Sequence, residues 1–304
     1  MPSAFRVLFD LALRVRLDPA LRALTRHPAT DGAAVEADLR RSILRDVMPG
    51  EAALTRWQKL RIFCLNLVNR SQPPLSAQDV LALLDGIEAA HADDDGRIRA
   101  LGSMNGDGQP GRRPQDFFAA VRRVTSPQPL PALGHLTYLD WIEQRWVYWI
   151  AQPAHALQAD ALLADLDVLS LHPATKIKGM GLPLAANFMA DIGVPAFAKP
   201  DLHVMPIIGL LQLSIERNDE ERDAFRGLVR IARAENEALR HDRGFAWLQE
   251  AGGLRPRHLD RLIYLVGSDN FHLDGRRNKR QAPPRRALMR SALIDAGLVG
   301  GHYA

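Results

Sequence analysis

The chain has 304 residues and a mass of 33.7 kDa, with 47% apolar and 24% charged residues, a composition that excludes disorder, collagen-like repeats and coiled coil. Its 39 lysines and arginines against 35 acids leave a net charge of +4 and a pI near 9.5, which permits a polyanionic partner without requiring one. Cys64 is the only cysteine, which excludes an internal disulfide and any four-cysteine zinc or iron-sulfur site and makes a reducing cytosol the simplest home.

The length allows one large domain or two lobes, and two are expected. No apolar run approaches the roughly 18 to 20 residues that a membrane span needs, so no membrane partner is expected. The opening segment is interrupted by Arg6, Asp10, Arg14 and Arg16. Its arginine-bearing amphipathic pattern shares features with a transit peptide or a membrane-surface helix, but Asp10 and Asp18 favour a packed first helix. Helical apolar spacing then covers residues 34–47, 51–70, 76–91, 114–124, 136–151 and 156–170, while strand-like alternation is scarce, which predicts an all-α fold. Ser76 followed by Asp79 marks a helix start ahead of Val80, Leu81, Leu83 and Leu84.

Residues 93–113 hold Gly96, Gly102, Gly106, Gly108 and Gly111 with few apolar side chains and read as a flexible loop. That loop, 96–113, is the expected boundary between an N-terminal helical region, 1–95, and a second region, 114–304. Asp93, Asp94 and Asp95 before Gly96 invite comparison with a calcium loop. The register puts His91 and Gly102 where the first and the bidentate carboxylates belong, so a solvated acidic helix end is the better reading. No internal repeat occurs at a solenoid period.

The stretch Ala174 to Leu213 carries the chemistry. Lys176 and Lys178 lead into Gly179-Met180-Gly181, where glycines permit positive φ and leave backbone N–H groups open to a phosphate. A helix presenting Ala185, Phe188, Met189 and Ile192 follows and stops at Gly193. After Phe197-Ala198-Lys199-Pro200-Asp201-Leu202-His203 comes another, with Val204, Ile207, Ile208 and Leu211 on one face. Pro206 removes a hydrogen bond early in that helix, so either its first turn is irregular or it starts at Pro206 with Asp201 on the preceding loop.

This arrangement resembles the helix-hairpin-helix DNA glycosylase superfamily. Its core is a hairpin of the type G-x-G-x-K-x-A, a helix, and a catalytic aspartate in a V-D-x-H-V-like context. Gly179, Gly181 and Ala185 match the hairpin, Asp201 falls on the catalytic aspartate, and His203-Val204 match the residues just after it, over about 40 residues of the chain. The resemblance implies an all-helical two-lobed fold with the helix-hairpin-helix motif near 174–193. It also implies a double-stranded DNA partner carrying a modified or damaged base.

Where bifunctional members carry a lysine nucleophile this chain has Pro183, which has no amine for a Schiff base, as in the monofunctional members that use water. Lys176, Lys178 and Lys199 lie nearby as possible substitutes. The four C-terminal cysteines that bind an iron-sulfur cluster in some relatives are absent, and neither metal nor cofactor is expected. Cleavage of an N-glycosidic bond builds positive charge on the sugar, which a fixed carboxylate stabilises while it orients or deprotonates water. Asp201 would do this. Its other reading is a helix cap.

The base must also leave the stack for a pocket. Trp141, Trp146, Tyr148 and Trp149 crowd one helix, where Leu139, Ile142, Trp146, Trp149 and Ile150 form an inward stripe. That leaves Trp141, Arg145 and Tyr148 on the next face, and Trp141 and Tyr148 as candidates to line a base pocket. His203 is a third candidate for that pocket, and its other reading is a buried structural histidine. Arg276, Arg277, Lys279, Arg280, Arg285, Arg286 and Arg290 place seven cations in fifteen residues with no acid, a segment able to follow a phosphate backbone.

DNA contacts are therefore expected from Lys176, Lys178, Gly179, Gly181, Arg276, Arg277, Lys279 and Arg280. The expected function is a monofunctional DNA glycosylase of a nucleoid-associated, cytoplasmic kind. Two alternatives stand beside it: a pyrophosphorylase-like relative acting on hypermodified thymine, and a helix-hairpin-helix DNA-binding protein without catalysis.

Overall fold

The computed structural model of the chain describes residues 3–24, 31–44, 54–69, 73–107, 111, 113–212, 220–268, 282–299 and 303. The described residues are α-helical, with short 3-10 turns and no strand longer than an isolated bridge between Leu130 and Leu136. None of the described helices is long and apolar enough to cross a membrane. In chain order they are α1 (Ala4–Leu17), α2 (Gly32–Leu44), α3 (Arg56–Val68), α4 (Ala77–Ala90), α5 (Asp94–Gly102), α6 (Pro114–Thr125) and α7 (Tyr138–Ala151). Then follow α8 (Ala159–Ser170), α9 (Leu182–Asp191), α10 (Met205–Leu211), α11 (Glu220–Leu239), α12 (Ala246–Glu250), α13 (Pro256–Ser268) and α14 (Ala282–Asp295).

The helices fall into two compact units, and the division differs from the one expected. The first comprises Met1–Met48, Gln152–Leu162 and Pro195–Ala304, and the second Pro49–Ala151 and Leu163–Val194. The glycine-rich stretch is no boundary, because α5 occupies most of its first half. Asp93 caps α5 through a 2.7 Å bond from the Gly96 N–H, which holds the Asp93 carboxyl below its ordinary range. The acidic run is thus a helix start. A Cβ on Gly102 would meet Thr125 Oγ1 at 2.5 Å, so this glycine serves close packing of α5 on α6. Gly106, with φ of 85°, is a true turn glycine.

In the second unit α3 is the central helix, packed by α4, α5, α6 and α9. Trp57, Leu60, Phe63, Cys64, Leu67 and Val68 are buried along one side of it, and the polar Lys59 and Asn66 are buried beside them, which weakens its amphipathic pattern. Thr55 and Gln58 close its start as a reciprocal capping box. Lys59, also buried, is neutralised by Glu143 at 2.6 Å and lies 4.4 Å from the Trp146 ring centroid. Ala185, Ala186 and Ala190 are small enough for α9 to approach α3 closely, and Phe188 meets Phe63 edge-on at 5.5 Å. Truncating Phe188 would cost about 3–5 kcal/mol.

In the first unit α1 packs on α2, α13 and α14, and α11 on α10 and α13. Leu8, Leu39, Ile208, Leu228, Ile263 and Met289 belong to one continuous core. Buried Glu235 of α11 accepts from Ser3 Oγ, from the Ala4 and Phe5 N–H groups and from Tyr303 Oη, fixing the start of α1.

Candidate functional site

The segment singled out in the sequence is a helix, a glycine turn and a helix. Ile177 N–H donates to Leu169 O at 2.8 Å and Met180 N–H to Ile177 O at 3.1 Å, folding the turn back on α8. Ile177 and Met180 are buried and anchor it, while Lys176, Lys178 and Gly179 are exposed. Gly179 takes φ of 87°, a backbone angle that favours glycine. Gly181 does not: its φ is −78°, and it is the residue ahead of α9, which has no side-chain cap and carries Pro183 in its first turn. The expected apolar face of α9 is buried throughout, at Ala185, Phe188, Met189 and Ile192.

Asp201 lies on the turn before α10, which begins at Met205 and takes Pro206 into its first turn, where no intrahelical N–H is needed. Asp201 Oδ1 accepts from His203 N–H at 2.9 Å and Val204 N–H at 3.3 Å, and its carbonyl accepts from Met205 N–H at 2.9 Å. One carboxylate oxygen is thereby oriented by the backbone, and the side chain is half-buried. Leu202 next to it is 72% exposed.

What fixes this turn is α13, which sequence reasoning passed over. Arg257 N–H donates to Pro195 O at 3.2 Å, Asp260 Oδ2 accepts from Lys199 N–H at 3.0 Å, and Tyr264 meets the His203 ring edge-on at 5.7 Å. A Cβ at Gly267 would come within 3.0 Å of His203 Nδ1. Positions 257, 260, 264 and 267 form one helical stripe, so a single face of α13 carries the connector. The signal was present in the spacing of these four residues.

Asp260 is a second carboxylate beside the candidate catalytic one. Burial raises its pKa, the ion pair with Arg257 at 3.0 Å opposes that rise, and the charge of Asp201 adds to it. His203 is half-buried and packs on Tyr264 of α13.

The pocket candidates divide. Trp141 is 6% exposed and buried in the packing of α7, which corrects its placement on an open face; the expected stripe was rotated, since Tyr138, Trp141, Ile142 and Trp149 are the buried set. Tyr148 is 44% exposed with the Arg145 guanidinium 4.5 Å from its ring centroid. Arg145 in turn shares Asp165 with the Trp149 indole N–H, at 2.7 and 2.5 Å. Trp146 donates its indole N–H to Ile192 O at 2.9 Å, supporting the end of α9.

Of the basic run, Arg276, Arg277, Lys279 and Arg280 lie outside the described residues. Arg285 is fully buried and donates to Val266 O at 3.3 Å, so it is a packing residue, contrary to the expectation of a solvent-facing cation. Arg286 reaches Leu202 O at 3.5 Å beside Asp201, and Arg290 is exposed. A cationic groove of about 520 Å³ lies elsewhere, lined by Arg122, Arg123, Tyr138, Lys176 and Lys178. Comparison of the chain with protein-family models, curated proteins and solved structures finds no match.

Proposed function

We propose that the chain is a monofunctional DNA glycosylase that hydrolyses the N-glycosidic bond of a modified or damaged base, with Asp201 as the catalytic carboxylate. The observation that carries this reading is the order of parts between residues 174 and 211: exposed lysines, a positive-φ glycine turn, an uncapped helix start, and then a backbone-oriented aspartate ahead of a second helix. The turn offers N–H groups and cations to phosphate. Asp201 offers a fixed negative charge where an oxocarbenium-like sugar needs one.

Asp201→Asn tests it, because the amide oxygen still accepts from His203 and Val204 while the charge is gone. Base release from duplexes carrying a panel of lesions and modified bases, read by mass spectrometry, should fall at least about 100-fold, with DNA affinity within a few fold. Turnover near that of the wild type would sink the assignment. The capping bonds of Asp201 favour one second reading, a DNA-binding protein without catalysis. That reading requires duplex binding with no free base from any substrate. Running the assay in EDTA and scoring pyrophosphate in parallel separates both from a metal-dependent pyrophosphorylase.

A further inference from the structure

We propose that α6 and the stretch leading into the glycine turn form a second phosphate grip, a groove that holds the backbone of the DNA strand with Arg122 and Arg123 acting alongside Lys176 and Lys178. This deepens the DNA-directed reading above and rests on it. The groove, about 520 Å³, is lined by all four cations, which come from segments about 50 residues apart. All four side chains belong to exposed residues.

Contacts at both ends of α6 hold the two segments side by side. Near its start Asp116 pairs with Lys178 at 2.9 Å. Near its end Arg123 donates to Tyr138 Oη at 3.0 Å and to Ala174 O, and Tyr138 Oη donates to Thr175 O. These bonds fix the guanidinium plane of Arg123 while leaving further N–H groups of its five for a ligand. Arg122 is steadied by the Met104 carbonyl at 2.7 Å.

A pocket for a small molecule encloses its ligand in mostly apolar walls. Here four cations stand on exposed rims, an arrangement suited to a polyanion that passes through. The groove shares Lys176 and Lys178 with the approach to the turn, so a strand whose phosphate sits at Gly179–Gly181 has its neighbouring phosphates directed along α6. Asp116 is the acid that opposes this. Its pairing with Lys178 occupies a cation that a phosphate would otherwise take.

The test is fluorescence anisotropy of a labelled duplex with the full chain, across a salt series. Replacing Arg122 and Lys176 together with alanine should weaken binding at least about tenfold and lower the log–log salt slope by about two units. Asp116→Asn should tighten binding a few fold, a direction that damage to the fold does not produce. If the wild type binds the duplex with a steep salt dependence and neither variant changes it, the groove is overturned and the DNA reading stands. If the wild type does not bind duplex DNA at all, both fall.

Discussion

On the proposed glycosylase reading, Pro183 decides which product is released. It lies in the first turn of α9, where proline suits helix initiation and the ring nitrogen is tied up in the peptide bond. Lys178, the nearest lysine in sequence, is engaged by Asp116. Hydrolysis by water should therefore leave an intact abasic strand, and borohydride should trap no covalent protein–DNA adduct. A robust adduct would show that Lys176, Lys178 or Lys199 supplies the nucleophile, to be identified by replacing each in turn. At this scale the local backbone was legible in part: Gly179 takes the positive φ that glycine permits while Gly181 does not, and Asp201 lies on the turn ahead of a helix, one of the two placements that Pro206 left open. What was not legible was burial. Trp141 and Arg285 carry side chains typical of exposed or ligand-facing positions, yet their exposure depends on neighbours far away in sequence.

Among the elements, α13 does most to hold the turn of Asp201, and its own start is electrostatically unusual. His258 is fully buried between Arg255 and Arg257, accepts from Arg255 N–H at 3.1 Å through Nδ1, and has its pKa pushed down to about 3 by burial and by those two cations. A histidine depressed below its ordinary value is neutral in the folded chain and takes up a proton on unfolding. Its contribution is complete above the unfolded pKa and is lost as pH falls from about 6.5 towards 3, at up to about 1.4 kcal/mol per pH unit. His258→Asn keeps an acceptor for Arg255 and removes the titration. The stability gap between wild type and variant, from urea midpoints, should shrink or reverse between about pH 7 and pH 4.5. A gap independent of pH would mean that His258 titrates alike in both states. Comparing the two proteins cancels Asp260, whose raised pKa acts in the opposite sense. The periodicity of the sequence revealed α1 to α4 and α6 to α10 through the helical spacing of their apolar residues. It passed over α11 to α14 and missed α5, whose Gly96 and Gly102 look like loop residues; the structure spends Gly102 on contact with Thr125.

On the scale of the whole chain, the two units interleave in sequence, and this was the least legible feature. Apolar spacing is a local signal, whereas the first unit joins residues before Met48 to those after Pro195 through contacts that no local pattern encodes. Glu235 shows how that joining is made. Its buried carboxylate gathers Ser3, the Ala4 and Phe5 N–H groups and Tyr303, and Tyr303 Oη also accepts from Ala4 N–H at 3.2 Å across 299 residues of sequence. Burial and the neighbouring Glu235 charge raise the Tyr303 pKa well above its ordinary value, so the phenol remains a donor throughout the working range. Glu235→Leu would take the acceptor from the Phe5 N–H and from the Ser3 and Tyr303 hydroxyls in the core, leaving Ala4 N–H with Tyr303 Oη alone, and each buried unsatisfied group costs about 1–3 kcal/mol. The urea midpoint should fall by the equivalent of at least about 3 kcal/mol, and Glu235→Gln, which keeps one acceptor oxygen, should recover part of it. Because Asp201 belongs to the same unit, the base release proposed above should also fail at a lower temperature in Glu235→Leu. An unchanged midpoint would mean that water satisfies these groups once the carboxylate is gone, and that packing of α1 on α13 and α14 closes the unit without it.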